Sequence, residues 1–245
     1  MLKTFHRSLL DILLPQSCHV CSAFLRDSVN AFDENICSDC RGRMEETPAL
    51  ACRFCAATLR EPREYVERRC SSCRSLALPA FEEAHACFIY NKPMRALIHQ
   101  MKYRERPYLA RTAARLMQSE LPRRLLEEAN MIVPVPLAPA RQRERTFNQA
   151  QEIAKELGAA FAKPVTPALR RVKETRSQAE LKEKNRFPNV EGAFRVRADA
   201  GSAIRGQDIV LVDDVITTTA TVRAAAAALA DAGAGRIRIL ALAKG

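Results

Sequence analysis

Eight of the nine cysteines fall into four Cys-x-x-Cys pairs: Cys18/Cys21, Cys37/Cys40, Cys52/Cys55 and Cys70/Cys73. All four lie in the first third of the 245-residue chain. Each pair can turn as a knuckle that offers two thiolates to one metal, and two knuckles complete a tetrahedral Zn²⁺ site. Eight ligands therefore make two closed, structural sites. Intervals of 15, 11 and 14 residues separate successive pairs, lengths that suit zinc-ribbon loops. Sequential pairing, first with second and third with fourth, is the expectation, and a cross-braced arrangement is the alternative. A secreted disulfide framework or a redox Cys-x-x-Cys fits poorly. The pairs repeat, no βα context surrounds them, and the start of the chain makes a poor signal peptide. "MLKTFHRSLLDILLPQSC" breaks its apolar run at Asp11 and offers no small-residue cleavage site. A short amphipathic helix is expected there, in a cytoplasmic protein. The ninth cysteine, Cys87 in "AHACFIY", reads as a core residue on a strand. His19, inside the first knuckle, is expected to face solvent rather than metal, because cysteines already saturate the sites.

Charge separates the chain into two parts. Residues 1–80 carry 11 Lys+Arg against 10 Asp+Glu, and residues 81–245 carry 28 against 18. Each Cys₄–Zn²⁺ site adds about −2, from four thiolates and one dication. The cysteine-bearing part is thus near neutral or acidic and does not look like a basic nucleic-acid finger. Positive charge concentrates in the second part, where a phosphate-rich ligand would bind. No apolar stretch approaches the ~20 residues of a membrane span. The expected organisation is an N-terminal helix and double zinc ribbon over 1–80, then an α/β domain over 81–245. If the two are separate domains, loss of a ribbon leaves the second half folded.

The second part alternates strand and helix patterns. "AHACFIY" is a strand. "NKPMRALIHQMKY" is a helix capped by Asn91, with Pro93 in its first turn and Met94, Leu97, Ile98 and Met101 on one face. A further helix is expected over roughly 107–121, and "MIVPVPL" (131–137) is a buried strand. "TFNQAQEIAKELG" predicts a helix opened by a Thr146–Gln149 capping box and ended at Gly158. "GAFRV" (192–196), "DIVLV" (208–212) and "RIRILALA" (236–243) are strands, with an alanine-rich helix between the last two. Such alternation argues for a parallel sheet covered on both faces, with ligands bound at the carboxyl ends of its strands.

The segment "IVLVDDVITTTAT" sits at such an end. A loop of small and hydroxyl residues between a buried strand and a helix N-terminus is an anion site, because backbone N–H groups and the helix dipole point into it. Asp213 and Asp214 cannot serve that anion. They suit a neighbouring group that donates hydrogen bonds, such as vicinal hydroxyls. Phosphate plus vicinal hydroxyls describes a phosphorylated sugar.

At these residues the chain resembles the phosphoribosyl-diphosphate (PRPP) motif of type I phosphoribosyltransferases. Over nearly its whole length it resembles the ComF/GntX-like competence family, a double zinc ribbon followed by a phosphoribosyltransferase domain. The segments that carry this are "LLDILLPQSCHVC", "VPVPLAPARQRERTFNQA", "TRSQAELKEKNRFPNVEGAF" and "VLVDDVITTTAT". The resemblance implies that Asp213 and Asp214 hold ribose hydroxyls. It implies that Thr217, Thr218, Thr219, Ala220 and Thr221 surround the 5′-phosphate. Arg141 and Arg145 are the candidates for the diphosphate, with Mg²⁺ bridging diphosphate and ribose oxygens. Lys102 and Tyr103, in "MKYRER", also match a family stretch, with no role assigned. Position 219 is usually glycine in the family. A threonine at φ > 0 would be strained, so either this loop takes an ordinary conformation or it grips phosphate less tightly.

Residues 170–186 hold seven Lys+Arg against three Glu and are expected to form a basic hood over the site, or a helix with pairs such as Glu180–Lys184. Two function classes follow. One is an enzyme that transfers a phosphoribosyl group from PRPP with Mg²⁺. The other is a non-catalytic factor in DNA uptake or utilisation that handles single-stranded DNA or senses nucleotides. Partner proteins of the uptake machinery, such as a helicase, are implied by the resemblance alone.

Overall fold

A computed structural model of the chain describes residues 16–25, 32–33, 35–104, 106–173 and 192–245. The expected N-terminal helix and most of the basic stretch 170–186 lie outside these residues. Strands are labelled in chain order: β1 (Glu83–Ile89), β2 (Met131–Pro134), β3 (Leu169–Arg171), β4 (Phe194–Val196), β5 (Ile209–Ile216) and β6 (Ile237–Lys244). The main sheet has the order β1-β6-β5-β2 and every pairing in it is parallel. β3 and β4 form a separate antiparallel pair.

Strand β5 shows why the sheet is buried on both faces. Val210 and Val212 point into one apolar cluster with the helices Lys92–Tyr103, Leu109–Leu116 and Gln149–Phe161. Ile209 and Leu211 point into another with the alanine-rich helix Ala220–Asp231. The two-residue alternation of a strand thus feeds two cores, and an apolar run without polar interruption is what it requires. Buried Ala225 and Ala226 let the second helix lie close against β5 and β6.

Several local expectations hold. Asn91 caps its helix by accepting from the Met94 amide, and Met94, Leu97, Ile98 and Met101 are the buried positions. Others are corrected. The helix expected over 107–121 ends at Leu116, and a second, Glu120–Glu128, follows with Pro122 in its first turn. The Thr146–Gln149 capping box does not open the next helix. Asn148 caps it, its Oδ1 accepting from the Ala150 amide (3.1 Å) while its Nδ2 donates to Val135 O (2.9 Å). Asn148 wins because it joins the helix start to the exit of β2, a contact 13 residues back in sequence. Nor does Gly158 end that helix, which runs on to Phe161. The glycine is needed for close approach: a Cβ there would land on Val165 Cγ2 and within 2.8 Å of Lys163 O.

Packing crosses the division expected near residue 80. Residues 45–47 run antiparallel to the edge strand β1, with Ile89 N donating to Glu45 O (2.8 Å) and Thr47 N to Cys87 O (3.0 Å). A sheet edge that would otherwise stay open is covered this way. Cys18, Ile36, Cys37, Cys40 and Met44 belong to the same core as the helices on that face of the sheet. By contrast Cys52, Cys55, Leu59, Cys70 and Cys73 form a small cluster of their own. Cys87 is buried on β1 as expected, and burial pushes its thiol well above the ordinary range.

Candidate functional site

The cysteines assemble in sequence order. Cys18, Cys21, Cys37 and Cys40 form one group and Cys52, Cys55, Cys70 and Cys73 the other, with all sulfurs of a group within 4.8 Å of one another. The Cys21–Cys37 and Cys55–Cys70 sulfurs are 3.8 and 3.5 Å apart. A tetrahedron with Zn–S of about 2.3 Å has edges of about 3.8 Å, so both groups fit Zn²⁺. Backbone amides of Cys37 and Cys70 point at Cys18 Sγ (3.4 Å) and Cys52 Sγ (3.3 Å), as donors do around bound thiolates. His19 is outside the ligand set, as expected, but it does not simply face solvent. It is half-buried, its Nδ1 meets the Arg106 guanidinium and its Nε2 meets Tyr108 Oη at 3.2 Å.

A second site lies at the carboxyl end of the parallel sheet. Pro134, the last residue of β2, pairs with Val212 of β5. β5 continues for four more residues, so Asp213 and Asp214 emerge where their neighbour on that side has ended. That missing neighbour opens a cleft of about 410 Å³, lined among others by Lys102, Arg141, Arg145, Arg171, Asp213 and Asp214. A cavity of about 260 Å³ adjoins it and shares Lys102, Tyr103, Arg141 and Arg145.

The acidic pair is electrostatically divided. Burial and the charge of Asp214 push the Asp213 carboxyl up to about 8. Asp214 is equally desolvated, but Lys102 forms an ion pair with its Oδ2 and holds it below the usual carboxylate range. Asp214 N also donates to Asp213 Oδ1 (2.8 Å). The pair is thus split, with Asp213 the weaker acid and Asp214 the carboxylate paired with Lys102. It can accept hydrogen bonds from a pair of hydroxyls.

The residues expected around the phosphate divide. Thr217 and Thr221 line the cleft, Thr218 is half-buried, and Thr219 and Ala220 are buried. Thr219 has φ −76° and ψ 0° at the N-cap of the alanine-rich helix. No left-handed backbone is needed, so of the two alternatives the ordinary conformation holds and Thr219 is unstrained. Its Oγ1 accepts from Arg223 Nε (3.0 Å), and Arg223 also donates to Ala77 O of the ribbon segment (2.8 Å). Thr219 is therefore a packing and tethering residue.

Arg141 sits on the short helix Pro139–Glu144 and Arg145 at its C-cap. Arg145 donates to Gln149 Oε1 (3.0 Å) and lies over the Tyr103 ring at 5.2 Å. Two contributors escaped sequence reasoning. Lys102 carried a motif match but no role, because its partner lies 112 positions away. Arg171, from β3, was read only as part of a basic stretch, whereas it lines the cleft and stacks on Phe194 at 5.4 Å. Four cationic side chains against two acidic ones surround this space. That excess suits a polyanion.

Comparisons agree with both halves of this description. A double zinc ribbon domain model matches residues 9–74, and a phosphoribosyl transferase domain model matches residues 146–245. Competence protein F of Haemophilus influenzae is 28% identical over 224 residues, which cover 89% of this chain and 94% of that protein. DNA utilization protein YhgH of Salmonella typhimurium is 30% identical over 213 residues, covering 84% of this chain and 80% of that protein. Competence protein ComFC of Bacillus subtilis is 25% identical over 197 residues, covering 77% and 75%. Among solved structures, the glutamine PRPP amidotransferase from B. subtilis aligns with a TM-score of 0.38 and 17% identity, over 59% of this chain and 30% of that one.

Proposed function

Since this chain belongs to the family of competence protein F, ComFC and DNA utilization protein YhgH, we propose that its cleft binds PRPP with Mg²⁺ in the service of DNA uptake or utilisation in the cytoplasm. The observation that carries the reading is the meeting, at one strand end, of an acidic pair, a threonine-bearing helix start and a cationic wall. Asp213 and Asp214 receive the ribose hydroxyls. Thr217, Thr221 and the amides that open the alanine-rich helix receive the 5′-phosphate. Arg141 and Arg145 receive the diphosphate and neutralise charge on it as the bond to the sugar weakens. Mg²⁺, when bound, would supply further neutralisation of the leaving group, and Asp213 and Asp214 are the carboxylates of the cleft that would hold it. The acidic pair, close to the same sugar, favours positive charge on the ring. Two zinc ions, one per cysteine group, hold the ribbon as structural metals.

Calorimetric titration of the zinc-replete chain with PRPP, with and without Mg²⁺, tests the reading. Binding that strengthens with Mg²⁺ and is lost in Asp213→Asn/Asp214→Asn, with inorganic phosphate binding retained, is expected. No PRPP binding by the folded chain refutes it. Diphosphate release from bound PRPP would separate a transferase from a protein that only binds the sugar phosphate.

A direct role in handling single-stranded DNA has one specific support. Arg170 and Arg195 are cross-strand partners on β3–β4, both exposed, beside Arg171 at the cleft. Charge reversal at Arg170 and Arg195 should weaken single-stranded DNA binding uniformly across sequences and flatten its salt dependence. An unchanged salt slope would remove these residues from any DNA contact.

A further inference from the structure

We infer that Lys102 is a ligand-binding residue of the cleft, a clasp that pairs with Asp214 in the ligand-free protein and transfers to the diphosphate of the incoming sugar phosphate. This rests on the sugar-phosphate reading and adds a residue outside both the strand–loop–helix segment and the arginine loop.

Three observations carry it. First, Lys102 lines both cavities together with Arg141 and Arg145, so its ammonium shares one space with the acidic pair and with the cations offered to the diphosphate. Second, its ion pair with Asp214 is well covered, with side-chain exposures of 18% and 15%. A hydroxyl-bearing ligand that engages Asp214 weakens this pair, and the freed, largely covered ammonium then gains from another anion. Third, its support is rigid on one side and adaptable on the other. Met94, Leu97, Ile98 and Met101 lock the helix into the core, while the unbranched lysine stem leaves the ammonium able to swing. The helix C-terminus favours a cation at this position. The next residue, Tyr103, holds Arg145 over its ring, so the same helical turn presents one cation directly and steadies a second.

The exchange assigns Lys102 to the diphosphate part of the ligand and not to the ribose or the 5′-phosphate. Inorganic pyrophosphate and ribose 5-phosphate therefore separate its role from a general structural one. In Lys102→Met, pyrophosphate affinity measured with Mg²⁺ should fall about 10- to 100-fold, the loss of one charge-assisted contact. Ribose 5-phosphate affinity should stay within about threefold, and Lys102→Arg should restore most of the pyrophosphate binding. Equal losses for both probes, or none for either, overturn the assignment. A second measurement needs no variant: pyrophosphate should protect Lys102 of the natural chain from acetylation, and absence of protection overturns it too. If the natural chain binds neither probe, the sugar-phosphate reading itself fails and the clasp falls with it.

Discussion

Cys18→Ser and Cys52→Ser each remove one sulfur from a four-sulfur group, yet unequal effects on the parallel sheet are expected. Loss of a ligand releases the structural metal and with it the free energy that folds the local ribbon. In the first group that ribbon is part of the main core. Ile36 and Met44 are 0% and 3% exposed and pack in the cluster that contains Val210 and Leu240. Burial of each contributes about 1.5–3 kcal/mol, so releasing both costs about 3–6 kcal/mol out of the about 5–15 kcal/mol that stabilise a domain. At about 2–4 °C per kcal/mol for a chain of this size, the thermal transition of the sheet should fall by about 6–24 °C. The second group is a satellite cluster. Its ties to the sheet and its covering helix include Ala84 N to Arg53 O (2.7 Å) and Arg223 to Ala77 O (2.8 Å), together worth about 1–2 kcal/mol, and the small side chain of Ala56 in the cluster on the other face of the sheet. Hydrogen exchange at the Val210 and Leu211 amides reads the sheet directly, and a chromophoric chelator confirms that each variant has lost one zinc. Equal loss of protection in the two variants, or none in Cys18→Ser, would refute the shared-core argument.

Three other perturbations have definite signs. An unfolded aspartate loses its proton near pH 4, while Asp213 in the cleft keeps it up to about pH 8. Between those values the native state binds the extra proton and stability falls as pH rises. Asp213→Asn should therefore gain stability on the natural chain from about pH 4 to about pH 8, measured by melting without Mg²⁺ or phosphates; parallel curves would contradict this. Thr219→Gly should not tighten PRPP binding, because Thr219 already has an ordinary φ of −76°; it should cost about 1–2 kcal/mol in denaturant unfolding by stripping Arg223 of its Oγ1 acceptor. Gly158→Ala should destabilise by about 1–3 kcal/mol through overpacking against Val165 and Lys163 O, whereas a helical glycine with open space around it would gain about 0.5–1 kcal/mol from alanine.

What the sequence determined by itself was whatever a short window encodes. Two thiolates three residues apart fix a knuckle, so the ribbon chemistry was legible in the spacing of Cys18 to Cys73, while the choice of sequential over cross-braced pairing came from the assembled groups. Apolar stripes fixed the helix Lys92–Tyr103 and the buried strand Ile209–Ile216, and an acidic pair at such a strand's exit pointed to the cleft. Tertiary structure decided everything that depends on residues far apart. Only the pairing of a short β2 with a long β5 exposes Asp213 and Asp214, by ending one strand opposite Val212. Lys102 reaches Asp214 only because the sheet and helix bring them together, and that ion pair makes Asp214 the stronger acid of the two. Asn148 outcompetes Thr146 as a cap because it can also bind Val135 O. Gly158 serves a helix interior because Val165 comes back against it. The first cysteine group entered the main core because Ile36 and Met44 found apolar neighbours on β5 and the covering helices. Periodicity and spacing report which face of an element is apolar; they carry no information on which distant surface will meet it, and that meeting sets burial, partner and charge state.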